Sequence, residues 1–92
     1  MNKARRKQIE KIITMLEHAK EKIEGIHEDV ENVQSEEQEA FDNIPENMQG
    51  SERYEVAEAA VDALDSAEGG FDEATDAIES IIEYLTEAMG EA

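Results

Sequence analysis

Apolar residues in the first half of the chain fall at Ile9, Ile12, Leu16, Ala19, Ile23, Ile26, Val30, Val33, Ala40 and Ile44. Steps of three and four alternate, the spacing that holds side chains on one face of an α-helix, and Ile13 and Phe41 broaden the stripe. A second series keeps the same period at Ala57, Ala60, Leu64, Ala67, Phe71, Ala74, Ile78, Ile81, Leu85 and Ala88. The two stripes predict two long helices, 3–43 and 51–89, joined by a turn over 44–50. Gly25 costs the first helix about 1 kcal/mol relative to alanine, which burial of Ile23 and Ile26 offsets. The polar run Gln34-Ser35-Glu36-Glu37-Gln38-Glu39 reads as a notch in a continuous helix, because Ala40 and Ile44 resume the earlier phase.

The predicted turn is Asn43-Ile44-Pro45-Glu46-Asn47-Met48-Gln49-Gly50-Ser51. Proline disfavours helical geometry at the residue before it, and Gly50 interrupts the chain again. Ser51 is a good N-cap, with Glu52 and Glu55 in the first turn of the next helix. Between these breaks a short helical turn over Pro45 to Gln49 fits, with Phe41, Ile44, Met48 and Tyr54 plugging that end. Gly69-Gly70 could interrupt the second helix. Yet Leu64 and Phe71 are seven apart, so the apolar phase passes through, and one helix with a soft spot is expected. The predicted architecture is all-α, an antiparallel two-helix hairpin in a single domain, 1–92. A ribbon this thin buries little, so dimerisation to a four-helix bundle is the expected remedy.

Charge changes the picture. The formal net charge is −17, and it is polarised: residues 1–22 hold seven bases and three acids, residues 23–92 hold 22 acids and one base, Arg53. Such a chain repels nucleic acid and anionic membrane over most of its length, which excludes direct binding to either and points to basic protein surfaces. The sequence has no cysteine, so disulfides and thiolate metal sites are excluded, as expected of a reducing cytoplasm. No apolar run reaches the length of a membrane span, and none follows the basic start as in a signal peptide. A soluble cytoplasmic protein is expected.

The acids of the second half recur at helical spacing: Glu52, Glu55, Glu58, Asp62, Asp65, Glu68, Asp72, Glu73, Asp76, Glu79, Glu83 and Glu87. A solvated helix ordinarily mixes signs, because oppositely charged i,i+4 pairs stabilise it by a few tenths of a kcal/mol. Here Glu58–Asp62, Asp72–Asp76, Glu79–Glu83 and Glu83–Glu87 are like-charged, at similar cost. A rod with carboxylates at intervals of roughly 5–6 Å resembles a phosphate row in sign and spacing. On this reading Glu55, Asp62, Asp76 and Glu83 form the centre of a partner-binding face, with Glu58, Asp65, Asp72 and Glu79 along its edge. The plainer alternative is a solvated face on an oligomerising or adaptor coiled coil.

Other chemistry finds less support. Ser51 has no base beside it, and the histidines are His18 and His27. Glu24-Gly25-Ile26-His27 matches a di-metal ligand pair, but Ile23 and Ile26 as seam residues would put Glu24 outside and His27 on the flank. Asp62, Asp65, Glu68 and Asp72 lack the alternating ligands of a calcium loop. No catalysis, cofactor or metal is therefore expected. Arg5, Arg6 and Lys7 are read as neutralising Glu83, Glu87 and Glu91 at the open end of the hairpin. They could instead form an anion pocket for a nucleotide signal where N-termini meet in an oligomer.

The stretch from Glu36 to Tyr54, Glu-Glu-Gln-Glu-Ala-Phe-Asp-Asn-Ile-Pro-Glu-Asn-Met-Gln-Gly-Ser-Glu-Arg-Tyr, after the start Asn2-Lys3-Ala4-Arg5-Arg6-Lys7, resembles small acidic helical proteins of phages, prophages and mobile elements of Firmicutes. The resemblance covers nearly the whole chain and carries no catalytic residue across. It implies a setting. Small acidic proteins of mobile elements often inhibit host defences, and some anti-CRISPR and anti-restriction proteins do so by imitating DNA. A non-catalytic inhibitor of a host nucleic-acid-binding protein is the expectation that follows.

Overall fold

The computed structural model describes residues 1–90. Two long helices pack against each other as a hairpin: α1 spans Lys3–Asp42, a short 3-10 turn Glu46–Met48, and α2 Glu52–Met89. The molecule is a rod measuring 70 × 16 × 15 Å. Asn2 opens α1, its side-chain oxygen accepting from the Arg5 N–H at 2.8 Å. Ser51 opens α2 in the same way, with Tyr54 N–H donating to its hydroxyl at 3.3 Å. Each cap satisfies one amide that the first helical turn leaves without a partner.

Between the helices the chain reverses without loose backbone. Ile44 N–H donates to the Phe41 carbonyl, and Ser51 N–H to that of Met48, each at 3.1 Å. Gly50 takes φ +94°, a conformation that side-chain-bearing residues rarely adopt, and this aims the chain back along α1. Phe41 and Tyr54 meet edge to face with ring centroids 4.8 Å apart. Ile44, 8% exposed, is the one buried hydrophobic residue among those described. Both helices are continuous, through the polar run Gln34 to Glu39 in α1 and through Gly69-Gly70 in α2.

The seam differs from expectation. On α1 the half-buried positions are Arg6, Ile9, Ile13, Leu16, Lys20, Ile23, His27, Val30, Gln34 and Phe41. On α2 they include Tyr54, Ala57, Val61, Leu64, Glu68, Phe71, Thr75, Ile78, Ile82, Leu85 and Met89. In heptad terms these are positions a and d, with Arg6, Ile13, Lys20, His27, Gln34 and Phe41 at a on α1. Tyr54, Val61, Glu68, Thr75, Ile82 and Met89 hold a on α2. The expected seam residues Ile12, Ala19, Ile26 and Val33 lie instead at position g and are exposed, as are Ala67, Ile81 and Ala88. On α1 only the d half of the apolar stripe enters the contact, and on α2 Ala60 and Ala74 of the g half are half-buried beside the d residues; the rest of the contact is a partly polar row. Lys20 and Arg6 can fill that row because their methylene stems cover apolar surface while their heads reach its edge.

Candidate acidic interface

The heptad pattern sorts the rod into two long sides. Position e lies beside a, and position g beside d, so an antiparallel hairpin sets the two e rows on one side and the two g rows on the other. The e rows are acidic: Glu10, Glu17, Glu24 and Glu31 on α1, Glu58, Asp65, Asp72 and Glu79 on α2. The cross-helix contacts confirm the arrangement. Lys20, at a, donates to Glu79 Oε1, at e, across the seam. Glu17, Glu24 and Glu79 line one shallow groove around Lys20.

All eight residues that the sequence assigned to a partner-binding face (Glu55, Glu58, Asp62, Asp65, Asp72, Asp76, Glu79 and Glu83) are exposed on α2. Glu55, Asp62, Asp76 and Glu83 share position b, with Gly69 leaving a gap at the middle of the row. The e-position acids Asp65 and Asp72 flank that gap. At 1.5 Å rise per residue, successive b and e acids stand about 5 Å apart along the rod. The sequence reading missed the contribution of α1, whose own acids border the same side. Their spacing of seven from Glu10 to Glu31 was the available signal.

Very little of this charge is neutralised internally. Two side-chain ion pairs occur among the described residues, Lys20–Glu79 and His27–Glu31, the latter contingent on a protonated imidazole. The hydrogen bond from Lys20 to the Glu79 carboxylate, with smaller help from Glu24 and Asp76, holds the Lys20 ammonium above its ordinary value. Glu79 is thus the one proposed face residue already engaged by a base.

At mid-rod the seam is polar. The His27 ring stacks on Phe71 with centroids 4.9 Å apart and planes 8° from parallel, and Nε2 lies 3.2 Å from Glu31 Oε1. The expectation that His27 sits on the flank, outside Ile26, is therefore corrected: His27 is in the seam and Ile26 is 46% exposed. The polar a row turns the helix so that Ile23 and His27, rather than Ile23 and Ile26, face α2. Glu68 approaches from α2, and the Gln34 amide, turned with its nitrogen inward, donates to both Glu68 oxygens at 2.6 and 2.8 Å. Ligand atoms of His27, Glu31 and Glu68 all lie within 4.8 Å of one another. A tetrahedral zinc ion needs them about 3.3 Å apart, so this looser group would have to contract to hold one. Its Glu is Glu31, four residues after His27, rather than the Glu24 that the sequence motif singled out.

The basic end is arranged differently from expectation. Arg6 lies in the seam and donates through Nη2 to the Met89 carbonyl at 2.9 Å, capping the last turn of α2, and it pairs with no carboxylate among the described residues. Its Nε is buried without a partner. Arg5 and Lys7 are exposed, and neither pairs with Glu83 or Glu87. Glu91, the third acid assigned to this cluster, lies outside the described residues. No helix is long and apolar enough to cross a membrane among the described residues.

Comparison of the chain with protein-family models, curated proteins and solved structures finds no match.

Proposed function

We propose that this chain is a non-catalytic inhibitor that occupies the nucleic-acid-binding surface of a host defence protein, presenting carboxylates where that protein expects phosphates. The observation that carries the reading is the exposed acid array of α2, bordered by the e-row acids of α1 and met by a single lysine. A cleft evolved to displace counterions from a polyanion accepts such a rod on the same electrostatic terms. The likeness to small acidic proteins of Firmicutes phages and mobile elements supplies the setting, of anti-CRISPR or anti-restriction type in the host cytoplasm. The acting form in this reading is a homodimer arranged as a four-helix bundle.

A second reading, an oligomerising adaptor coiled coil, is favoured by the exposed apolar g rows. A sponge for an anionic nucleotide is less favoured, because Arg6 is drawn into the seam against the Met89 carbonyl and leaves Arg5 and Lys7 as the exposed bases of that trio.

The test compares the native chain with a variant carrying Glu55, Asp62, Asp76 and Glu83 all replaced by lysine. Both serve as bait in lysate of a Firmicutes host, at salt high enough to suppress loose ion exchange. Retention by the native chain alone of a nucleic-acid enzyme, released by competing duplex DNA, is the expected result. Equal retention of the same partner by both baits refutes the mimic and favours the adaptor.

A further inference from the structure

We infer that the apolar side of the hairpin, formed by the two g rows, is where a second copy of this chain docks. The inference rests on the homodimeric form proposed above and assigns the face that forms it. On a helix with 100° per residue, the seam direction between a and d lies about 60° from the stripe direction between d and g. A two-helix hairpin has no use for that offset, since each stripe would point straight at its neighbour. In a square four-helix arrangement, each helix points its stripe at the common axis, about 45° away from its hairpin neighbour. Both helices here are rotated toward the same side, as that geometry requires.

Beyond the arginines that begin each g row, Arg5 on α1 and Arg53 on α2, the face is apolar. Ile12, Ile26 and Val33 on α1 are 41%, 46% and 48% exposed, and Ile81 on α2 is 46% exposed. Ala67, Gly70 and Ala74 surround a shallow apolar hollow floored by Ile23 and Phe71, into which a branched side chain from another copy fits. From Ile12 to Ala40 and from Ala60 to Ala88 the g rows hold no charged residue.

The surface areas fit the same occupant. The chain exposes 6982 Å², whereas a compact monomer of its mass exposes about 5,400 Å². The uncharged part of the face, about 42 Å long and 15 Å wide, offers about 600 Å² per copy in flat projection, the same order as the roughly 800 Å² per partner of a standard stable interface.

Charge restricts the side on which two copies can meet. Two chains of net charge −17 repel along every other side, and this uncharged one is where they approach at least cost. The dimer then carries its two acidic sides facing outward in opposite directions, as a bivalent particle.

The experiment is sedimentation equilibrium on the full chain at several concentrations, with circular dichroism as the check on folding. The native chain is expected at twice its 10.3 kDa. The double variant Ile26→Glu, Val33→Glu is expected as a helical monomer, since neither side chain is needed in the seam. Ala67→Arg approaches the same face from α2 and decides the matter should the double variant lose helicity. Asp65→Lys, on the acidic side, is expected to leave the dimer intact. A native chain that stays monomeric overturns both the dimer and the face. A dimer that survives Ala67→Arg and Ile26→Glu, Val33→Glu but is lost with Asp65→Lys overturns the face alone.

Discussion

If the acidic array serves a partner rather than the fold, removing it should make the protein more stable. The variant with Glu55, Asp62, Asp76 and Glu83 replaced by lysine tests this directly. In the native helix Glu58–Asp62, Asp72–Asp76, Glu79–Glu83 and Glu83–Glu87 are exposed like-charged pairs one turn apart on α2. Each costs roughly 0.2–0.5 kcal/mol, and each becomes an attraction of similar size once one member is lysine. Three of the four new pairs place the acid N-terminal to the lysine, the better orientation. Four pairs then swing by about 2–4 kcal/mol together, again as exposed i,i+4 pairs. Lysine at position 55 removes an acid from the first turn of α2 and gives back about 0.3–1 kcal/mol of helix-dipole stabilisation. A net gain of about 2 kcal/mol remains, which raises the melting temperature of a chain this size by about 8–16 °C. Thermal melts followed by circular dichroism, at equal protein concentration and low salt, read the shift. In about 1 M salt, where the screening length falls to roughly 3 Å, most of the gain should vanish. A variant that melts at or below the native temperature in low salt refutes the reasoning, because the acids would then be contributing to the fold. A variant that melts higher and no longer binds has lost recognition without losing structure.

Arg6→Ala should leave the C-terminal carbonyls of α2 uncapped and fray its last turn, seen as faster amide exchange from Glu87 to Met89 with little change at the turn end. Gly25→Ala and Gly69→Ala should each stabilise by about 1 kcal/mol in chemical denaturation, since an added Cβ at either position meets nothing within 4 Å. The Lys20–Glu79 contact gives stability an alkaline dependence. The folded Lys20 titrates above its ordinary 10.5, so its contribution is full below that pH and is lost as pH rises through the folded value. A Lys20→Gln variant should therefore match the native melting temperature only at the alkaline end, and equal pH profiles throughout would contradict the contact. Phe71→Ala removes the ring under His27, and because the site is only half-buried the cost should be about 2 kcal/mol, below the range for a full core aromatic.

Helices and turn were legible because their signals are local. The three- and four-residue steps, Pro45, Gly50 and the Ser51 cap act on their own neighbours in the chain. The rotation of each helix was not legible in the same way, because it depends on what faces it across the seam. Lys20, His27, Gln34 and Glu68 read as surface residues one at a time. Their spacing from Ile13, Phe41, Val61 and Ile82 by multiples of seven was a signal for a second, mixed row. The acid face of α2 was visible as a charge pattern. The acids of α1 were hidden among bases whose rows diverge from theirs only once the heptad frame is known. His27 and Glu31 come together through that same frame, which favours the i,i+4 partner over the motif that drew attention to Glu24.

The Gly50 reversal also sets how this molecule can come apart. Contacts across the seam join residues ever more distant along the chain, from Phe41 with Tyr54 beside the turn to Arg6 with Met89 at the open end. The sole buried side chain among the described residues, Ile44, sits at the near end of that series. Closing the short loop first costs the least entropy, and each further rung then adds only a few residues to a loop already closed. The hairpin is therefore a zipper with one fixed end. It forms from the turn outward, opens from the termini inward, and makes its tip the last part to let go.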